Sequence, residues 1–370
     1  MLKDLKKPLK LSFIGGGVNS SIGSIHFMAS QLDSNFSVVS GFFSRDKKDN
    51  KKSQKKYNIS KHRVYNDLDS LLLSERNKID FFVVLTPTPD HYEILKKLVL
   101  SNVNIIVEKP ILSNSEEVKR LKKYLKKFTK KIYVVHNYIG YPAIREIQQL
   151  IKANKFGKLL NFKLQMAQES FLRGQKKDQR VKLWRRYDYK IPNLFLDLGI
   201  HLFNLSFFLI NKKPKSVLSD VQKIRNLVTD AKILLKYDPK TSGMFWISKS
   251  SLGSRNDLRI ELYFEKASIK WSHEDFESIY LYFPNGITKK IDRSVQSKLL
   301  NQDRYNRYRM GHPSGFIEAF SNMYEDIAQN FLNKKNHFVF DHNHAFDGIK
   351  FFEFCTKSMK IEKWIKNLKI

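Results

Sequence analysis

Five short apolar segments in the first part of the chain, each closing on polar residues or glycine and each followed by helix-like sequence, constrain the fold more than any other feature. They are Leu9–Ile14, Ser37–Phe43, Ile79–Leu85, Asn104–Val107 and Lys131–Val135. Strands alternating with helices predict a doubly wound parallel sheet, an α/β fold. In such sheets ligands lie beyond the carboxyl ends of the strands. The distinctive polar groups collect at those ends. Gly15–Gly17 follow the first strand, Ser44 and Arg45 the second, and Thr86-Pro87 with His91 the third. Glu108-Lys109-Pro110 follows the fourth, and Asn137 and Tyr138 the fifth.

The first of these turns has the context of a dinucleotide fingerprint, strand then glycines then helix. Glycines let the backbone approach a pyrophosphate, and the helix N-terminus offers free N–H groups. The match to G-x-G-x-x-G is imperfect: Ser20 stands in the third glycine position, Ile22 follows it, and Gly23 comes three residues late. At the second strand tip an acidic residue would bond a ribose 2′-hydroxyl. Ser44 and Arg45 come first there, which leans towards NADP(H); Asp46, slightly later, keeps NAD(H) open. Lys109 precedes a proline, and an X-Pro bond adopts the cis form far more readily than other peptide bonds.

After about residue 155 the pattern changes. A strand over Leu159–Ala167 leads to a long basic stretch, 171–193, containing Trp184-Arg185-Arg186, which reads as a lid. The apolar run from Leu194 to Leu205 then encloses two ionisable side chains, Asp197 and His201, four residues apart. On a regular helix they share one face, and a carboxylate there orients an imidazole for proton transfer. Six strand candidates in succession follow, 216–221, 231–237, 243–248, 258–264, 267–271 and 279–283, giving a mostly antiparallel sheet. One face of such a sheet, if covered by helices, leaves the other in need of solvent or a partner. We expect a homodimer or homotetramer formed through it. His312, in a polar loop, is a candidate substrate contact. His342 and His344 lack an evident third ligand, so no metal is expected.

Composition narrows the class. Lys+Arg is 67 against Asp+Glu 36, a net charge of +31. The cations are scattered and no nucleic-acid signature appears, so nucleic acid is not the expected partner; the charge instead suits anionic small molecules. A single cysteine, Cys355, excludes an intrachain disulfide and fits a reducing compartment. No uninterrupted apolar run is long enough to span a membrane, and a cytoplasmic protein is expected.

Taken together these residues resemble the glucose–fructose oxidoreductase/inositol dehydrogenase family (Gfo/Idh/MocA) over nearly the whole chain. The resemblance rests on the glycine turn, Thr86-Pro87 with His91, Glu108-Lys109-Pro110, Trp184-Arg185 and Asp197-Leu198-Gly199-Ile200-His201. It implies a Rossmann domain, 1–137, and an α/β domain with an open, largely antiparallel sheet, 138–370. Carried over position by position, Lys109, Asp197 and His201 match catalytic residues. Gly15, Gly17, Ser20, Ile22, Ser44, Arg45, Thr86, Pro87, His91, Glu108, Lys109, Asn137, Trp184 and Arg185 match cofactor contacts. Lys109, Tyr138, Asp197, His201 and His312 are the expected substrate contacts. Two departures stand out. Pro192-Asn193-Leu194-Phe195 replaces a glycine-rich lead-in, and Asn204 stands where many relatives have aspartate.

The implied chemistry is hydride transfer between NAD or NADP and a hydroxyl or keto carbon of a sugar, nucleotide-sugar or cyclitol. Alternatives are a non-redox use of the same cofactor in glycosidic cleavage, a catalytically idle dinucleotide-binding sensor or scaffold, and a polyanion binder.

Overall fold

The computed structural model describes residue 2, residues 4–173 and residues 187–370. The lid expectation for 171–193 therefore falls mostly outside the described residues, and Trp184 and Arg185 do so entirely. The chain forms two compact units, Met1–Gly140 with Ser314–Phe346, and Tyr141–Pro313 with Asp347–Ile370.

The first unit is built on strands β1 (Leu9–Gly15), β2 (Phe36–Phe42), β3 (Phe81–Leu85), β4 (Ile105–Glu108) and β5 (Ile132–Val135). All pairings are parallel, in the order β2-β1-β3-β4-β5. The expected strands thus form, with ends shifted by a residue or two. β3, β4 and β5 are buried throughout, as befits a parallel sheet covered on both faces. Part of that cover comes from far along the chain. The helix Phe316–Phe331 lays Tyr324 and Phe331 against Phe36 and Phe81, with ring centroids 5.2 Å and 4.8 Å apart. Asn322 Nδ2 also donates to the Gly140 carbonyl at 2.9 Å. A linear division of the chain at residue 137 does not anticipate this return. The helix has an apolar face, and nothing local to it says which sheet it covers.

The second unit carries a nine-stranded sheet. Its strands are β6 (Leu159–Ala167), β7 (Ser216–Ile224), β8 (Leu227–Asp238), β9 (Thr241–Ser248), β10 (Asp257–Phe264), β11 (Ser268–Ser272), β12 (Asp275–Tyr282), β13 (Thr288–Ile291) and β14 (Ile365–Lys366). The order is β13-β12-β11-β10-β6-β9-β8-β7-β14, antiparallel except for the parallel β6–β9 pair. Burial alternates along the strands. Ala231, Ile233 and Leu235 of β8 and Phe245 and Ile247 of β9 are buried on one face. Phe195, Phe203, Phe351 and Phe352, from helical segments, pack ring against ring, and Phe351 meets Phe245 edge-on over that face. The opposite face presents Lys163, Lys232, Leu234, Met244, Trp246 and Glu261, all at least partly exposed.

Candidate active site

The first helix begins where the glycine turn ends. Gly15 and Gly16 hold φ of +80° and +73°, a left-handed backbone that side chains rarely tolerate. Ser20 caps the helix Ser21–Gln31, accepting from the Gly23 amide at 3.2 Å. Gly23 packs so closely that a Cβ there would lie 1.9 Å from the Gly16 carbonyl oxygen. The late glycine therefore performs the helix-to-strand packing that the fingerprint assigns to its third glycine, while Ser20 supplies the cap. Ile22 is half-buried beside it.

At the tip of β2 the side chains are already engaged. Ser44 Oγ accepts from the Asp46 amide, and Asp46 caps the helix Lys47–Lys56 through the Asp49 amide at 2.9 Å. Exposed Arg45 reaches Asp90 at 2.6 Å. Beyond β3, His91 faces two carbonyls, Thr86 O at 2.9 Å and Pro110 O at 3.0 Å. It braces the tips of β3 and β4 against each other. Burial holds its pKa below the ordinary histidine value, against the raising pull of those carbonyls. Pro87 opens the short turn Thr88–Asp90.

Glu108 closes β4, buried and fully engaged. Its Oε1 lies 2.8 Å from His26 Nε2 and its Oε2 accepts from the Lys109 amide at 3.1 Å. Half-buried Lys109 follows, and its peptide to Pro110 is cis. After β5, Asn137 and Tyr138 lie buried in the turn Asn137–Gly140.

His136, 3% exposed, stands before them with neither ring nitrogen hydrogen-bonded among the described residues. Its ring lies edge-on to Phe340 and His344. Burial, then the positive charges of His344 and Lys109, hold it well below the usual imidazole range. Above about pH 6.5 the ring is neutral folded or unfolded, and adds no pH dependence to stability. As the pH falls below that value the unfolded chain takes up a proton that the folded ring refuses, so stability is lost, by up to roughly 1.4 kcal/mol per pH unit per ring. Urea unfolding between pH 7.5 and about 5 should show this decline, and His136→Asn should flatten it. An unchanged slope in that variant would rule His136 out as a contributor.

In the second unit the regular helix expected from Leu194 to Leu205 is interrupted. Phe195–Gly199 forms a π-helical turn before the helix Ile200–Ile210, and the Ile200 amide reaches back to the Phe195 carbonyl. Such turns occur mostly as single widened turns within α-helices, often at functional sites. Asp197 lies within that turn and His201 in the first turn of the helix after it. What Asp197 meets is a residue that the sequence reading missed. Lys249 Nζ, just past β9, lies 2.7 Å from Asp197 Oδ2 and 3.4 Å from Asn193 Oδ1, under the Phe171 ring. Lys249 is buried and Asp197 largely withdrawn from water, with side chains 3% and 12% exposed. His201 is also buried, at 6%. His312 is exposed, and its carbonyl accepts from Arg293. Among the described residues no group of three or more potential metal ligands occurs, and no helix is long and apolar enough to cross a membrane.

Residues 9–136 match the family described as "Oxidoreductase family, NAD-binding Rossmann fold", and residues 148–366 match its C-terminal alpha/beta domain. The chain belongs to the Gfo/Idh/MocA oxidoreductase family. An uncharacterized oxidoreductase of Bacillus subtilis, YfiI, is 25% identical over 383 residues, spanning 96% of this chain and 95% of its own. The fold is shared with an inositol dehydrogenase homolog of Azotobacter vinelandii, complexed with NADH and myo-inositol. That likeness has a TM-score of 0.87 at 22% identity over 98% of each chain. A levoglucosan dehydrogenase complexed with NADH and levoglucosan matches with a TM-score of 0.81 at 14% identity, over 98% of this chain and all of its own.

The first unit of this Gfo/Idh/MocA protein fits the dinucleotide that its family binds. A Cβ on Gly15 or Gly16 would strike Thr86 or Leu85 within 3 Å, so these positions keep the turn free of side chains. Thr86 Oγ1 and Asn137 Nδ2 are buried without a hydrogen-bond partner among the described residues. Buried polar groups of this kind are costly unless a ligand or water satisfies them.

Proposed function

We propose that this oxidoreductase transfers hydride between a nicotinamide dinucleotide and a CH–OH or keto carbon of a sugar, nucleotide-sugar or cyclitol. The observation that carries the reading is the buried Asp197–His201 segment, with its π-helical turn and charged Lys249 partner, in a chain that also keeps Lys109 at a Rossmann strand tip. When bound, the nicotinamide supplies the hydride acceptor or donor. Lys109 donates a hydrogen bond to the reacting oxygen and stabilises its developing charge. His201 takes the proton from the hydroxyl, and Asp197 aligns the polar groups around it. The many cations suit a substrate bearing phosphates.

The tip of β2 supports a lean towards NADP(H). Asp46 is committed to a helix cap, and Arg45, exposed beside Ser44, is held by Asp90. The open face of the nine-stranded sheet is the proposed assembly surface, and sedimentation at micromolar concentration should give a dimer or tetramer. A clean monomer would overturn that assignment.

The enzymatic reading is tested by mass spectrometry of the dinucleotide carried through purification. A panel of myo-inositol, levoglucosan and sugar nucleotides is then followed by nicotinamide absorbance with NAD⁺ and NADP⁺. Reduction with at least one compound is expected. A protein that binds dinucleotide yet turns over no compound in either direction would overturn the reading.

A further inference from the structure

Glu108, an expected cofactor contact, also meets the protein's own groups through both of its carboxylate oxygens. Oε2 takes the Lys109 amide at 3.1 Å, and Oε1 lies 2.8 Å from His26 Nε2. His26 is fully buried in the helix that follows the glycine turn, and its Nδ1 lies 2.7 Å from the hydroxyl of Tyr324. Tyr324 comes from the returning helix Phe316–Phe331. The His26 ring is further gripped edge-on by Phe320, at 5.0 Å.

We propose that Tyr324 and His26 are positioning residues for Lys109, acting through Glu108, in a line of hydrogen bonds that converges on the Glu108 carboxylate from both sides. A backbone amide only donates, so Glu108 accepts at Oε2. An ionised carboxylate accepts at both oxygens, so His26 carries its proton on Nε2 and donates to Oε1. In the proposed arrangement Nδ1 accepts from the Tyr324 hydroxyl, 2.7 Å away. Burial and the Glu108 charge both push the Tyr324 pKa upward, so that hydroxyl keeps its proton. The ends of this line are the returning helix, at Tyr324, and the backbone of Lys109, with the helix after the glycine turn between them at His26. Three segments far apart in sequence thereby fix where the lysine leaves the sheet. The importance of that position rests on the role proposed above for Lys109; the hydrogen-bond line itself does not.

Two measurements on the full-length protein test the line without any substrate. Nitrogen-15 NMR of the histidine rings should show His26 neutral at pH 7 with its proton on Nε2, the resonance being assigned by its loss in His26→Gln. A doubly protonated ring, or a proton on Nδ1, would overturn the proposal. Hydrogen exchange at the Lys109 amide should accelerate about tenfold in both Tyr324→Phe and Glu108→Gln, the change expected when a hydrogen bond of roughly 1.4 kcal/mol is weakened. The Ile106 and Val107 amides, in the ladder of the same strand, should stay as they are. Equal acceleration along the whole strand would mean general loosening and would overturn a positioning role, as would no change at Lys109 in either variant. If exchange responds as expected while Lys109→Met leaves turnover intact, the role given to the lysine fails and the line stands.

Discussion

Replacing Lys109 with methionine is expected to lower turnover by about a hundred- to a thousandfold, the range for loss of one pre-aimed donor to a developing oxyanion. NADH should still bind with affinity within about threefold of the parent, because uniform binding and transition-state stabilisation are separable. Position distinguishes this lysine from the rest of the 67 Lys and Arg residues. Most of the others are solvated; the helix Lys47–Lys56, for example, leaves its lysines largely exposed. Lys109 is half-buried at the tip of β4, with its amide held by Glu108 and the next carbonyl but one facing His91. His201→Asn should lose about a hundred- to ten-thousandfold, the usual contribution of a positioned base. If both groups serve one step, the double variant should be little worse than the poorer single variant. Steady-state rates on the best substrate of the panel, with NADH titration by fluorescence, measure all three. Parental turnover in either single variant would remove that residue from the mechanism.

The strands of the first unit were legible because each is an apolar run bounded by turn residues, and a covered parallel sheet requires such runs. The strand-tip residues were legible for the same reason, since they are the polar residues that stop the runs. What escaped depends on contacts between distant segments. Gly23 looked three residues late in a linear fingerprint, yet its proximity to Gly16 makes it the packing glycine. His26 and Tyr324 lie 298 positions apart in the chain, so neither marks the other. Lys249 was hidden by composition, because one more lysine after a strand carries no signal in a lysine-rich chain. The π-helical turn at Phe195–Gly199 also has no periodic signature, since the residues around it are apolar on every side. His91 and Glu108 were read as cofactor contacts from their places in the motifs. His91 faces the Thr86 and Pro110 carbonyls, and Glu108 meets His26 and the Lys109 amide, contacts that the motifs do not signal at the level of sequence.

Lys249→Met should destabilise the second unit by about 3–5 kcal/mol, the cost typical of removing one partner from a buried ion pair. The Asp197–Lys249 contact is 2.7 Å with both side chains largely withdrawn from water, so solvent screening does little to soften the loss. Methionine fills most of the lysine volume, which leaves the loss of the ammonium charge beside the Asp197 carboxylate as the main source of the penalty. Asp197→Asn should also destabilise, because it leaves the buried Lys249 ammonium without a counter-charge, although the amide oxygen still accepts from it. The double variant Lys249→Met/Asp197→Asn separates charge from packing. If the unpaired charge dominates, stability returns to within about 2 kcal/mol of the parent, and the double-mutant cycle shows a coupling well above the 0.5 kcal/mol typical of unconnected sites. Guanidinium unfolding of the four proteins gives the cycle, with m-values checked to confirm that each unfolds from a comparable native state. Additive losses would mean that the two side chains stabilise the fold independently, and the buried pair would then have no claim to set the electrostatics around His201. A large coupling would instead make the charge state of Asp197 a property of Lys249. Turnover measured in Lys249→Met would then report on the His201 environment with His201 itself unaltered.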